Sequence, residues 1–248
     1  MPELKLMVDG EEFAGWTQIQ IVRSLDSLAD SFDLQLVTRG SSRPPPAELA
    51  EGDECKILYG AETLIHGWID EVSEPYSASS CSLSVVGRSR AGDLVDCSAV
   101  HKPWRGTSIL KIAKDLCDPF GIAVSSDVSD LPEEKYFKLS QGETVFAALD
   151  RLARDHGMRV VSRSDGSVLF TRTGLLRYPH VVIENGVNVV TGNFRRSAAE
   201  RYSDYIFKCQ LAASDAVNAT DASPKYEVND AGVTRFRPLV IERDTQRG

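Results

Sequence analysis

The residues best suited to nucleophilic chemistry lie in one short segment, Gly87-Arg88-Ser89-Arg90-Ala91-Gly92. This segment follows a predicted strand and resembles the G-x-S-x-G elbow, in which a serine on a strained strand-to-helix turn attacks an ester or amide. Here the fifth position is Ala91, no long helix is predicted after it, and the alternation before it favours an antiparallel strand. We therefore interpret Ser89 as part of a polar turn whose arginines meet solvent or an ion pair.

A second candidate is the pair formed by Cys97 and His101. A nucleophilic thiol needs a base within hydrogen-bond distance. Because the two residues are four positions apart where a strand becomes a loop, we do not expect their side chains to face each other, and we interpret Cys97 as structural. His156, at the end of a predicted helix, is interpreted as a partner of the helix dipole rather than a general base.

Metal and cofactor signatures have little local support. One polar loop holds a group of acids without the alternating ligand spacing of a calcium loop, and we interpret them as solvated surface: Asp127, Asp130, Glu133 and Glu134. The histidines are widely separated, and no two of the cysteines form a C-x-x-C pair: His66, His101, His156 and His180; Cys55, Cys81, Cys97, Cys117 and Cys209. There is no glycine-rich phosphate loop and no H-E-x-x-H. We predict no catalytic, cofactor-binding or metal site, and no enzyme.

The elements that would position these residues begin with a β-rich region, residues 1–99. Phe32–Val37 alternates apolar and polar side chains, as a strand with one buried face does. The stretch Ser41–Glu54 holds three successive prolines and predicts an exposed loop. Six or seven short strands without a long helix predict a small antiparallel barrel or sandwich.

Residues 100–176 have a different pattern, which predicts a small α/β domain. Ile109–Cys117 has helical apolar spacing, and Thr107 or Ser108 can cap it. A second helix is predicted from the capping box Ser140–Glu143 to His156–Gly157. A hairpin should turn at Ser164–Ser167. The order is helix, helix, hairpin.

The β pattern returns in residues 177–248 and resembles the start of the chain. A constant offset of 173 residues lays Ile21–Ser24 on Phe194–Ser197 and Phe32–Leu36 on Tyr205–Cys209. We read this as a second copy of the barrel, although two unrelated amphipathic hairpins could align this well. The region ends with a strand-like Phe236–Ile241 and is shorter than the first. The predicted fold class is therefore α+β, mainly β, with two related antiparallel β-barrel domains, the second incomplete, around the α/β domain.

The charge balance excludes one class of function. The 248 residues include 28 Lys and Arg and 36 Asp and Glu, a formal net charge of −8. Proteins that grip nucleic-acid phosphates usually carry a basic patch or stripe. Early charged residues interrupt any signal-peptide apolar region, and no stretch approaches the ~18 apolar residues of a membrane helix. We expect reduced cysteines, assembly in the cytosol and no membrane insertion.

Several blocks in order resemble the Mu-like phage baseplate hub proteins of contractile tails and their prophages. The blocks are Val86–Ser98, Trp104–Thr107, Cys117–Gly121, Gly142–Phe146 and Asp165–Leu169. The resemblance implies a non-catalytic virion protein, assembled in the bacterial cytoplasm, whose homotrimer presents six related barrel domains as a ring. It implies contacts with tail tube proteins and the central spike, and a channel for phage DNA. The chain departs from the family at its C-terminus, where the family continues through a complete second barrel.

Two arguments from the residues favour the same function, and two alternatives stay open. Two β copies in each of three chains would match a six-fold tube, and an acidic wall would let DNA pass without binding it. Polar strand residues such as Thr17, Gln18, Gln20 and Arg23 could line a lumen or meet solvent, and sequence does not choose. The alternatives are a peptide- or cell-wall-glycan-binding module formed by residues 100–176 on a barrel scaffold, and an esterase that uses Ser89.

Overall fold

The chain folds into two compact units in a computed structural model, Met1–Arg177 and Tyr178–Gly248. The structure describes residues 3–39, 49–75, 80–174, 182–189, 191–210 and 225–244. Within these ranges, each helix is too short or too polar to cross a membrane.

The first unit begins with an antiparallel sheet of seven strands, and the alternation predicts six or seven. The strands are β1 Leu4–Val8, β2 Glu11–Phe13, β3 Gln18–Val22, β4 Ser31–Arg39, β5 Glu54–Tyr59, β6 Glu62–Ser73 and β7 Ser80–Ser89. Their order is β2-β1-β5-β6-β7-β4-β3. No ladder joins β2 to β3 among the described residues, so closure into a barrel stays a prediction.

Alternation along the strands places one set of side chains in a core. In β4, Phe32 and Leu34 are buried, and they lie opposite Ile21 and Ile19 of the edge strand β3. Two glycines let the central strands pair closely. A Cβ at Gly67 would overlap the Arg88 carbonyl oxygen, and one at Gly87 would overlap the Trp68 carbonyl oxygen and the Phe32 ring.

The second part of the first unit contains the three α-helices of the described chain. They are α1 Gly92–Asp96, α2 Ile109–Cys117 and α3 Val145–Asp155, and Asp118–Phe120 forms a 3-10 turn after α2. The Ser108 side chain caps α2 by accepting from the Lys111 amide, as predicted. α3 begins after the predicted capping box, because Thr144 caps it. Glu143 still accepts from the Ser140 amide at 2.8 Å. The short α1 was not predicted.

Two small sheets accompany these helices. Their strands are β8 Trp104–Ser108, β9 Val124–Ser126, β10 Glu133–Phe137, β11 Arg159–Ser162 and β12 Val168–Thr171. β8 pairs with β10, and the predicted hairpin β11–β12 is extended by β9, which runs parallel to β12. The helices and the sheet of β9, β11 and β12 enclose a second core that includes Ile112, Leu149 and Phe170.

The second unit contains a three-stranded sheet in the described residues. Its strands are β13 Asp204–Gln210, β14 Lys225–Asn229 and β15 Pro238–Asp244, in the order β14-β13-β15. β13 and β15 run parallel, so the prediction of a wholly antiparallel second domain is wrong for this pair. The connection from β13 to β15 passes through β14, which turns the chain back before β15 resumes the first direction.

The alignment at an offset of 173 residues compares two pairs of segments, and in one of the two pairs both segments are strands. Phe32–Leu36 lies in β4 and Tyr205–Cys209 lies in β13, whereas Ile21–Val22 ends β3 and Phe194–Ser197 forms no strand. The predicted last strand Phe236–Ile241 begins two residues later, at Pro238.

Candidate assembly surfaces

Ser89, the candidate nucleophile, is a buried residue at the end of β7. It is 1% exposed. Its backbone amide donates to the Asp30 carbonyl at 2.8 Å, and its Oγ accepts from the Asp30 amide at 3.1 Å. The hydroxyl therefore ties the loop before β4 to the end of β7 and does not face a cleft.

The two arginines that flank Ser89 are held by partners. Arg88 bonds Asp70 on β6 and Asp96 on α1, each at 2.7 Å. Arg90 donates to the Phe120 carbonyl at 3.2 Å and lies beside Gly121 and Gly166. The turn after β7 is therefore a junction between the sheet and the helical part of the unit. The ion-pair interpretation holds for Arg88.

Cys97 is an exposed residue that follows α1, and the two candidate histidines contact other groups. His101 stacks on the Trp104 indole with centroids 4.1 Å apart, and its Nδ1 lies 2.6 Å from the Lys102 carbonyl. His156 Nε2 lies 2.8 Å from Glu134 Oε2. Burial raises the pKa of the Cys55 and Cys117 thiols to about 12, so both are protonated and unreactive at neutral pH.

The candidate metal ligands do not come together in the described ranges. No group of three or more His, Cys, Asp or Glu in those residues could hold a metal ion. Asp127 accepts from the Thr171 hydroxyl at 2.8 Å, and Glu133 and Glu134 lie in β10. His180 and the Cys209 side chain lie outside the described residues.

A loop of the sheet is built into the second core. Leu28, between β3 and β4, is 1% exposed and belongs to the cluster that α1, α2 and α3 enclose. Arg159 on β11 donates to the Leu25 carbonyl at 3.4 Å and to Asp26 at 3.3 Å. His66 on β6 lies 3.1 Å from the Asp165 carbonyl of the hairpin turn. The two parts of the first unit therefore share packed contacts on several sides.

The side of the sheet turned away from its core is mainly polar. Register places outward side chains of three adjacent strands together, a surface that we call the polar face: Gln18, Gln20, Asp33, Gln35, Ser82 and Ser84, with Val22, Val37 and Val86 on the same side. Among the described outward side chains of these strands, Arg88 is the one cation, and it is neutralised by Asp70 and Asp96. Arg23, which the sequence grouped with Gln18 and Gln20 as a residue of a lumen or of the solvent-facing surface, instead donates to the buried Asp30 carboxylate at 3.0 Å.

Charge is distributed unevenly along the chain. Residues 1–90 contain 15 Asp and Glu against 7 Lys and Arg, while residues 91–248 contain 21 of each. The whole formal excess of −8 therefore belongs to the seven-stranded sheet and its loops. The composition of the whole chain does not reveal this uneven charge, but a count of acidic and basic residues in each region does.

The sheet of the second unit is amphipathic. One side, which we call the apolar face, carries six large side chains in register: Tyr205, Phe207, Tyr226, Val228, Leu239 and Ile241. The opposite side, the charged face, includes the ion pair between Lys208 and Glu242 at 3.8 Å and the pair between Lys225 and Glu227. None of the described side chains of this unit is buried. The alternation of residues in β13 indicates that this strand is amphipathic. The apolar face extends over three strands, however, and only the pairing of β13 with β14 and β15 brings its six side chains together.

Family comparisons match both parts of the first unit. Residues 3–89 match the family "Mu phage baseplate assembly protein GpP-like, N-terminal". Residues 91–172 match "Baseplate hub protein gp44-like, second domain".

Individual relatives match nearly the whole chain. The chain is 32% identical over 254 residues to the baseplate hub protein gp44 of Escherichia phage Mu, and it spans 97% of its own length but 65% of that relative. It superposes on the 43 kDa tail protein of prophage MuSo2 from Shewanella oneidensis with a TM-score of 0.86 and 31% identity, covering 97% of the chain and 73% of that protein. The tail protein from Neisseria meningitidis MC58 shares the fold, with a TM-score of 0.82 and 24% identity over 97% of the chain and 71% of that protein.

Proposed function

Because the chain belongs to the family of Mu-like phage baseplate hub proteins, we propose that three copies of it form a ring around a DNA channel in the tail baseplate. Each copy supplies two β-rich units, so the ring presents six related units. Such a ring can contact a six-fold tail tube on one side and a three-fold central spike on the other. The ring is assembled in the bacterial cytoplasm and remains in the virion tail. Its role is structural, not catalytic.

The observation that carries the proposal, beyond the family, is the polar face of the first unit. A channel wall for DNA must not hold phosphates, since each phosphate neutralised by Lys or Arg adds salt-dependent affinity. The polar face offers amide, hydroxyl and carboxylate groups, and its described cation is already paired. The excess negative charge of residues 1–90 acts in the same direction, because like charge repels the DNA backbone.

The mass of the purified protein in solution tests the ring. Three chains of 27.2 kDa give about 82 kDa by light scattering, and images of the particles down their axis should show six lobes around a central hole. A stable two-fold dimer of about 54 kDa would contradict the proposal, because an isologous pair closes without forming a ring.

A further inference from the structure

The arginines of the second unit are gathered at one end of its sheet. The described part of this unit contains six arginines, and five of them lie in the two chain segments that meet where β13 and β15 begin and β14 ends. We call this surface the arginine end: Arg195, Arg196, Arg201, Arg235 and Arg237. The two lysines of the described unit, Lys208 and Lys225, lie toward the opposite end of the strands. Arginine suits phosphate groups well, because its planar fork of N–H donors matches their oxygens.

Hydrogen bonds hold the two segments of the arginine end against each other. The Arg237 guanidinium donates to the carbonyls of Ala198 and Ala199 at 3.2 and 2.8 Å. The Ser203 amide donates to the Arg237 carbonyl at 2.9 Å, and the Ser203 hydroxyl accepts from the Arg237 amide at 2.7 Å. Each of the other four arginines lies within three residues of one of these bonded positions along the chain. The fold therefore brings both segments to one place.

The arginine end carries more positive than negative charge. Arg201 is neutralised by Asp230, to which it donates two bonds at 3.0 and 2.9 Å. Four arginines then remain against two other acids of these segments, Glu200 and Asp204. Two of those four make no hydrogen bond or ion pair within the described residues: Arg195 and Arg235. The formal charge of −8 for the whole chain conceals this positive end.

Two aromatic rings are exposed beside these arginines. Phe194 is 79% exposed and Phe236 is 84% exposed, and each is adjacent along the chain to one of the two unpaired arginines. The Arg196 guanidinium lies 5.0 Å from the Phe194 ring centroid, a favourable cation–π distance. An exposed ring beside a guanidinium can stack on a nucleobase while the cation bonds a neighbouring phosphate.

We infer that the arginine end binds single-stranded DNA, with its arginines on phosphates and with Phe194 and Phe236 stacked on bases. The bases of a single strand offer their faces to aromatic side chains, whereas in a duplex those faces are covered by the neighbouring base pairs. An acidic peptide would pair with the arginines but would offer no flat ring to the two phenylalanines. The choice of DNA over RNA rests on the proposed function, in which the ring surrounds DNA.

Removing the unpaired cations tests the contact with phosphates. Fluorescence anisotropy of a labelled oligo(dT) of about 20 nucleotides, long enough for a surface of this kind, measures binding to the full chain at graded salt. A single strand contributes a log–log salt slope of about −0.7 for each phosphate neutralised, so Arg195→Gln/Arg196→Gln/Arg235→Gln should weaken binding and reduce the slope by about 2.

The control for this variant removes the same charge elsewhere. Lys102, Lys135 and Lys138 are exposed lysines of the first unit. Lys102→Gln/Lys135→Gln/Lys138→Gln should keep the salt slope of the wild type. Far-UV circular dichroism confirms that both variants keep their strands.

Truncating the exposed rings tests the stacking separately from the charge. Phe194→Ala and Phe236→Ala should each weaken binding of oligo(dT) by about fivefold or more, with the salt slope unchanged. Neither variant should alter the weaker binding of a duplex of the same length. Ile183→Ala is the control, because Ile183 is 81% exposed in the same unit and carries no ring, and it should bind oligo(dT) as the wild type does.

Four results would overturn the inference. The arginine variant could bind oligo(dT) as tightly as the wild type does, or the phenylalanine variants could leave its affinity unchanged. Polyglutamate could displace the labelled strand as effectively as unlabelled oligo(dT), which would identify a surface for acidic peptides. Tighter binding of oligo(U) than of oligo(dT) would identify RNA as the partner. Because the oligonucleotide needs only the second unit, these titrations and the mass measurement that tests the ring fail independently.

Discussion

Asp30 is a buried carboxyl whose ionisation works against folding. It is 4% exposed, and burial raises its pKa above the ordinary 3.8, although the nearby Arg23 guanidinium opposes the rise. Between 3.8 and the raised pKa, the folded state holds more protons than the unfolded state. The free energy of unfolding contributed by Asp30 therefore falls as pH rises through this window.

The variant Asp30→Asn should lack this fall. The free energy of unfolding of Asp30→Asn minus that of wild type should therefore rise as pH increases from about 3 to about 7. Denaturant titrations of both proteins at several pH values measure this difference. Loss of the bond to Arg23 adds a constant offset, so the slope is the informative quantity. Asp26→Asn is the control, because Asp26 is exposed in the same loop. Parallel pH profiles of Asp30→Asn and wild type would contradict the argument.

Ser89 shows how residue type can mislead at this scale. Its G-x-S-x-A context imitates a nucleophile elbow, and a short helix does follow the strand. The sequence could not show that Asp30, 59 positions earlier, donates its amide to the hydroxyl. A serine whose Oγ serves a buried backbone donor stabilises the fold, because that donor would otherwise be unsatisfied.

At the level of elements, the loop between β3 and β4 joins the sheet to the helical part of the first unit. Leu28 enters the second core from this loop. Leu28→Ala should lower the free energy of unfolding by about 2–5 kcal/mol, the cost of removing a buried leucine side chain. The sheet and the helical part should unfold together in wild type, and circular dichroism with tryptophan fluorescence detects both.

The same loop supplies the control for this prediction. Leu25 is 68% exposed, so Leu25→Ala should change the free energy of unfolding by no more than about 0.5 kcal/mol. An equal effect of both variants would mean that Leu28 is not held in the second core.

Elements with a clear apolar periodicity were predictable from the sequence. The others were not, because their residues do not alternate between apolar and polar. Strands β4–β7 and helices α2 and α3 follow their apolar patterns because each buries one face. β10 reads Glu133-Glu134-Lys135-Tyr136-Phe137, and β14 has no buried residue, so neither shows the alternation of a half-buried strand. The parallel pairing of β13 with β15 depends on chain segments about 30 residues apart, which local patterns do not encode.

For the whole molecule, the polar face and the ring together predict how added cations would act on DNA. In Gln18→Lys/Gln20→Lys/Gln35→Lys, a ring of three copies would direct about nine new cations at the channel. Nonspecific DNA affinity should rise, with a salt dependence of about −0.9 in log–log slope for each phosphate neutralised. Because the cations lie inside a closed ring, DNA can reach them only by threading an end. Isolated trimers of the variant should bind linear duplex DNA and not a closed circle of the same sequence, as measured by gel retardation at graded salt.

A matched variant with cations elsewhere separates threading from simple attraction. Gln141, Thr191 and Thr234 are neutral and exposed and lie outside the polar face. Gln141→Lys/Thr191→Lys/Thr234→Lys adds the same charge, so it should bind linear and circular DNA alike. Equal binding of both DNA forms by the polar-face variant would place that face on the outside of the ring. The channel wall would then have to be built from another surface, although the ring itself would stand. Selective binding of linear DNA would identify the outward side of β3, β4 and β7 as the wall that DNA passes.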